Sequence, residues 1–164
     1  MEMMRDGIGY EFEAARLLEQ KKLRVTTAES CTGGLIAGAL VNVPGISEWF
    51  GEGYVTYSNE AKERLLGVSH GTLETYGAVS EQTAREMAEG AAKAADADVS
   101  VVSTGIAGPD GGTAEKPVGL VYIGCFCKGT VRVEKHLFDG DRAQVRAQSV
   151  QAALSLLRTM LVEV

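Results

Sequence analysis

The chain has 164 residues, 45% hydrophobic and 23% charged, which bounds it to an ordinary globular domain able to bury a full core. A net charge of −6 argues against broad, sequence-independent binding to nucleic acid, while leaving room for a small basic pocket that takes one phosphate. No apolar stretch reaches membrane-spanning length, and the charged start Met1-Glu2-Met3-Met4-Arg5-Asp6 has no signal-peptide core, so a cytoplasmic location and no membrane partner are expected.

Ile8, Phe12, Ala15 and Leu18 recur at helical spacing, which predicts an amphipathic helix from about Ile8 to Lys22. Leu23 to Thr27 reads as a strand, followed by the hydroxyl- and glycine-rich turn Thr27-Ala28-Glu29-Ser30-Cys31-Thr32-Gly33-Gly34. Gly34 to Val43 is apolar nearly all round, predicting a largely buried helix that Pro44-Gly45 ends. Gly53 to Tyr57 forms a second strand, and Asn59 is the expected N-cap of a short helix ending at Gly67. A turn or short helix covers Thr72 to Tyr76, closed by Gly77. Ser80 then caps a long alanine-rich helix to about Ala95. The strand Val99 to Ser103 leads into a loop from Thr104 to Thr113 with four glycines. Val118 to Cys127 and Thr130 to Phe138 are long strands, separated only by Lys128-Gly129, which predicts a tight hairpin. The last helix runs from about Arg142 to Leu161.

Strands and helices mostly alternate, with one hairpin late in the chain. The expected fold is therefore α/β: a single layered α/β/α domain over residues 1–164, with a mixed sheet. Ligands of such sheets sit in crevices beyond the strand ends. Three polar or glycine-rich loops follow strands here, at Ser30, Tyr57 and Thr104, and convergence would make them one site.

Ser30 ends a strand and precedes a helix, so it serves either as a helix cap or as a nucleophile, and a serine nucleophile needs a base. Gly33 and Gly34 offer backbone N–H groups free of Cβ, suited to an oxyanion or phosphate, or else to close helix–strand packing. Cys31 competes as nucleophile, because a helix start would lower its thiol pKa. Neither His70 nor His136 stands in a context that would serve it. Lys62 follows the expected Asn59 cap, where the helix field would disfavour its ammonium form and suit it to act as a base. A solvated surface lysine is the alternative. Tyr57 closes the preceding strand and could donate to a substrate or to the lysine.

The loop from Thr104 to Thr113 could close over a ligand with backbone donors. It matches neither a Walker phosphate loop, since Lys116 is not part of a G-K-[ST] run, nor a dinucleotide fingerprint. Arg142 stands at the start of the last helix with Arg146 one turn on, placed to grip phosphate or to pair with surface carboxylates. Glu29 and Asp110 could orient amines or assist proton transfer. Cys125 and Cys127 share one strand face and read as small buried hydrophobes. Three cysteines and two histidines in these positions make a poor zinc ligand set, so no metal or other cofactor is expected.

Taken together, several segments resemble the CinA C-terminal domain family, known as nicotinamide-nucleotide amidohydrolases (PncC). They are Thr27 to Gly34, Tyr57-Ser58-Asn59-Glu60-Ala61-Lys62, Gly77-Ala78-Val79-Ser80, Ser103 to Pro109, Lys116-Pro117-Val118-Gly119 and Gly140-Asp141-Arg142. They occur in family order across most of residues 8–162. The resemblance implies deamidation of nicotinamide mononucleotide to nicotinate mononucleotide and ammonia by a metal-free serine–lysine arrangement. On it, Ser30 is the nucleophile, Lys62 its general base and Tyr57 an assisting residue. Thr104 and Gly105 help form the pocket, and Arg142, or Arg146, binds the nucleotide phosphate. The family's larger fused domain is missing from this stretch, so a stand-alone form is expected, with a small nucleotide substrate and no nucleic-acid partner. Small α/β enzymes are commonly symmetric oligomers, so a homo-oligomer is expected too. The competing reading is a non-catalytic nucleotide-binding regulatory module, which would need no base beside a nucleophile.

Overall fold

The computed structural model describes residues 9–164; the expected helix start at Ile8 lies outside them. Helix α1 spans Tyr10–Lys21 and leads to strand β1, Val25–Glu29. Helix α2 covers Leu35–Leu40, and a single 3-10 turn, Ile46–Glu48, precedes β2, Tyr54–Val55. Helices α3 (Asn59–Leu66), α4 (His70–Tyr76) and α5 (Glu81–Ala95) follow. Strands β3 (Val99–Gly105), β4 (Leu120–Cys127) and β5 (Thr130–Leu137) then lead to the long α6, Arg142–Glu163. Among the described residues, no helix is long and apolar enough to cross a membrane.

One mixed sheet has the order β2-β1-β3-β4-β5. β1 runs parallel to both β2 and β3, while β4 and β5 are antiparallel and joined by the expected Lys128-Gly129 hairpin. Strand alternation divides the core between two faces. Val99 and Val101 of β3 with Val121, Ile123, Cys125 and Cys127 of β4 pack against α1, α2 and α6. The opposite face sets Ala28 and Val102 against Met87, Ala88 and Ala91 of α5, with Leu66 of α3 alongside. Cys125 and Cys127 are buried on the first of these faces as small apolar side chains.

Three local expectations need correction. Helix α2 is only six residues long, and it buries Ile36 and Leu40 while Leu35 and Val41 stand 45% and 56% exposed. Gly34, in the left-handed region at φ 106°, delays its start, and only one side has a neighbour to pack on. β2 is shorter than expected because it pairs on one side only, at the sheet edge. Ser58, not Asn59, caps α3: its side chain accepts from Ala61 N at 3.1 Å, and its backbone is extended. That shift places Lys62 a full turn into the helix.

The parallel run of β2, β1 and β3 sends all three following loops to one end of the sheet. The antiparallel β4–β5 pair brings the chain back there, since Leu120 pairs with Leu137, and α6 starts beside them. One close crossing sets the height of α3 over the sheet. Gly90 of α5 lies under the end of α3, where an added Cβ would stand 1.8 Å from the Leu66 carbonyl oxygen. Helix propensity alone favours alanine over glycine by about 1 kcal/mol. The crossing reverses that sign: Gly90→Ala is expected to destabilise by roughly 1–3 kcal/mol, as overpacking does. Urea unfolding of the two proteins checks it, and a variant at least as stable as wild type would mean the helices do not cross so closely.

Candidate active site

A cavity of about 280 Å³ opens at this end of the sheet, and all three strand-end loops and the start of α6 line it. Ser30 comes from the β1 loop, Lys62 from α3, Thr104 to Gly108 from the β3 loop and Arg142 from α6. A larger hollow of about 710 Å³ lies between β5 and α6, lined by His136, Phe138 and Gln148 among others. Ser155 and His136 both line it, but no hydrogen bond joins them, whereas the smaller cavity holds Ser30 in hydrogen-bond contact with Lys62 and is the stronger candidate for chemistry.

At its floor, Lys62 Nζ lies 3.0 Å from Ser30 Oγ and donates to the Thr56 carbonyl oxygen at 2.9 Å. Lys62 is 1% exposed, and among the described residues no carboxylate pairs with it. Burial without a counter-charge disfavours the ammonium form and lowers its pKa to about 8. The cause therefore differs from the expected helix-end field: with Ser58 as cap, Lys62 is too far along α3, and desolvation dominates.

Ser30 itself is fixed from several sides. Its N–H donates to the Ser103 carbonyl at 3.0 Å, extending the β1–β3 ladder by one bond. Glu29, fully buried, does not face the cavity as an amine or proton partner. Its carboxylate accepts from Thr32 Oγ1 at 2.5 Å, Ile36 N at 2.8 Å and Ala37 N at 3.1 Å. It thus supplies the acceptors that Gly34, with no side chain, cannot give the start of α2. Thr32 Oγ1 also meets Ser103 Oγ at 2.7 Å, tying the loop to β3.

The other expected residues fall into two groups. Tyr57, 63% exposed, sits at the mouth, where its hydroxyl accepts from Arg142 Nη2 at 3.1 Å. Arg142 Nη1 donates to the Gly108 carbonyl at 2.8 Å, so one guanidinium spans two lips of the cavity. Thr104 donates to the Ala78 carbonyl at 2.8 Å. At Gly105 a Cβ would lie 2.8 Å from the Leu120 carbonyl, so only glycine permits β3 to run this close to β4. Asp110 lines the cavity as well.

Gly33 and Gly34 do not line it. Gly33 N–H closes a turn onto the Ser30 carbonyl at 3.1 Å, and both glycines hold positive φ, so they shape the entry to α2 rather than present donors to a ligand. Arg146 is likewise occupied, donating to the Cys31 and Thr32 carbonyls at 3.0 and 3.2 Å and fastening the Ser30 loop to α6. Cys31 borders the cavity, yet burial pushes its thiol up to about 11, opposite to the lowering expected at a helix start. His70 is held between Glu63 and Glu74, and His136 stacks on Phe138, both outside the cavity. Lys116 anchors the glycine loop to the Tyr76 carbonyl at the end of α4. Among the described residues, no group of three or more His, Cys, Asp and Glu side chains is gathered for a metal ion.

Sequence reading missed the Thr56 carbonyl under Lys62, the capping role of Glu29, the fastening role of Arg146, and Asn59, which also lines the cavity. A backbone acceptor leaves no mark in a sequence. Glu29 left one: an acidic residue directly before a turn that opens a helix with no capping side chain.

Comparison with known proteins agrees with this architecture. A relative from Clostridium beijerinckii, named as a competence-damage inducible protein, is 60% identical over 158 residues, covering 96% of this chain but 38% of its own length. The chain thus spans well under half of the longer relatives it matches. Among solved structures, a competence-damaged protein (CinA) superfamily protein from Klebsiella pneumoniae superposes with a TM-score of 0.90 at 37% identity, over 94% of this chain and 97% of that one. The competence/damage inducible protein CihA from Agrobacterium tumefaciens gives 0.85 at 45% identity, over 98% and 99%. The CinA C-terminal domain family matches residues 10–161, and the chain belongs to that family.

Proposed function

We propose that this domain is a serine–lysine amidohydrolase that deamidates nicotinamide mononucleotide to nicotinate mononucleotide and ammonia. The observation that carries the reading is the 3.0 Å approach of a buried lysine amine, with no carboxylate partner among the described residues, to Ser30 Oγ at the floor of an open cavity. A binding module has no use for that pair, and holding a lysine uncompensated in the interior costs stability. The choice of substrate rests on the family motifs, with Arg142 at the cavity mouth as the cation for the phosphate.

In this mechanism, neutral Lys62 takes the proton of Ser30 as Oγ attacks the carboxamide carbon. The Thr56 carbonyl holds one Nζ–H, aiming the amine lone pair at the serine. The tetrahedral adduct collapses as Lys62 returns the proton to the leaving nitrogen, and ammonia departs. A water, deprotonated in turn by Lys62, hydrolyses the nicotinoyl-serine ester and restores the enzyme.

Ammonia release from nicotinamide mononucleotide, with a chelator present, tests this directly. Wild type is expected to turn over and Ser30→Ala to lose activity by at least about a thousandfold, the scale on which removal of a nucleophile acts. Wild type that binds the nucleotide without releasing ammonia would instead make the domain a regulatory module. Lys62→Ala should abolish turnover while largely keeping nucleotide binding, and normal turnover in that variant would remove the lysine from the mechanism.

The lowered lysine pKa fixes the sign of the pH dependence. The base works only when neutral, so kcat/KM should rise about tenfold per pH unit below 8 and level off above it. A rate flat from pH 6 to 9 would mean that no group titrating near 8 limits the reaction.

A further inference from the structure

Besides Lys62 on its floor, the cavity is lined by two opposite charges, Arg142 and Asp110, and neither neutralises the other. Arg142 donates to neutral acceptors, the Gly108 carbonyl and the Tyr57 hydroxyl. Asp110 stands only two residues beyond Gly108, in the same lining, yet it forms no ion pair with Arg142. It is exposed, and neither of its neighbours Pro109 and Gly111 carries a charge. A guanidinium and a carboxylate with no ion-pair partner among the described residues, around a space of about 280 Å³, suit one molecule with both charges of its own. The strand-end geometry puts the reacting amide at Ser30, on the floor, and the two charges along the walls and mouth.

Resting on the amidohydrolase reading above, we propose that Asp110 is a specificity-determining residue that selects amides whose ring carries a fixed positive charge. The substrate is then read as a zwitterion: Arg142 takes the phosphate, and Asp110 faces the cationic pyridinium. Such a ring sits beside a carboxylate without needing a hydrogen bond, so the contact is one of charge rather than of fixed geometry. Free nicotinamide has neither charge and is discriminated against twice. Tyr57, exposed at the mouth, offers a second electron-rich face to the same ring. The position in an exposed loop also means that Asp110 can be neutralised without disturbing the core.

The test uses binding, so that it reads out independently of turnover. Ser30→Ala protein and the Ser30→Ala, Asp110→Asn double variant are titrated calorimetrically with two probes at low ionic strength. One is nicotinamide mononucleotide, with its cationic ring; the other is its reduced dihydropyridine form, with the same phosphate and ribose but a neutral ring. Asp110→Asn is expected to weaken the cationic probe about five- to tenfold, the scale of a partly solvated charge pair, and to leave the neutral one within twofold. The cationic-probe loss should shrink as salt is raised. Equal weakening of both probes would assign Asp110 to the ribose or to loop shape and overturn the proposal. Unchanged binding of both would overturn it as well. Failure of wild type to release ammonia, with the probe difference intact, would count against the amidohydrolase reading and leave this one standing.

Discussion

The structure turns on a lysine amine held out of water against a serine hydroxyl. An amine with an ordinary pKa near 10.5, lowered to about 8, costs on the order of 3 kcal/mol in the folded protein at neutral pH, since each unit is about 1.4 kcal/mol. The sign follows from proton linkage. The unfolded chain binds the proton more tightly, so stability grows as pH rises from about 8 toward 10.5 and is lost as pH falls through 8. A domain with a total stability on the order of 10 kcal/mol notices such a term. The rest of the fold must therefore hold Lys62 in place against a standing preference for leaving.

Most of the described contacts around the cavity do that holding. The Thr56 carbonyl anchors the amine from the β2 end, and the close crossing of Gly90 under Leu66 seats α3, which carries Lys62, against α5. On the other side of the pair, Glu29 nails the Ser30 loop to the start of α2, and Arg146 nails it to α6. The proposed nucleophile and base thus come from separate elements, the loop after β1 and helix α3, each fixed by bonds that do not involve the other. Neither has to rely on their mutual hydrogen bond for its position, which leaves that bond free to change direction as protons move.

Much of this was legible in the sequence. The alternation of strands and helices, the Lys128-Gly129 hairpin and the Ser80 cap are local signals, and the structure keeps them. Ser30, Lys62 and Thr104 stood at strand or helix ends, so a parallel sheet had to bring them to one side. What escaped was set by tertiary partners. Gly33 and Gly34 looked like ligand donors because their backbone is bare, but the N–H of Gly33 is spent on a turn and their freedom is spent on positive φ. Glu29 and Cys31 were misread for a common reason: burial changes what a titratable group does, and burial is not a local property of a residue. Arg142 and Arg146 could not be told apart at a spacing of one turn. Only the tertiary positions show that one spans the mouth while the other is consumed by carbonyls.

A histidine base carries a second ring nitrogen, and its tautomer must be fixed by a third residue, which is why serine–histidine sites grow into triads. A lysine has one nitrogen and no tautomer. It needs an environment instead of a partner: removal from water, and one carbonyl to orient the amine. Here that environment is built by α3, α5 and the β2 end together, so the base strength of Lys62 is a property of packing. Any loosening of the α3–α5 crossing that admits water raises the lysine pKa from about 8 toward its ordinary value and, on the proposed reading, moves the activity limb upward before the protein unfolds. In this domain, a packing defect some distance from the cavity would first be seen as a change in pH profile.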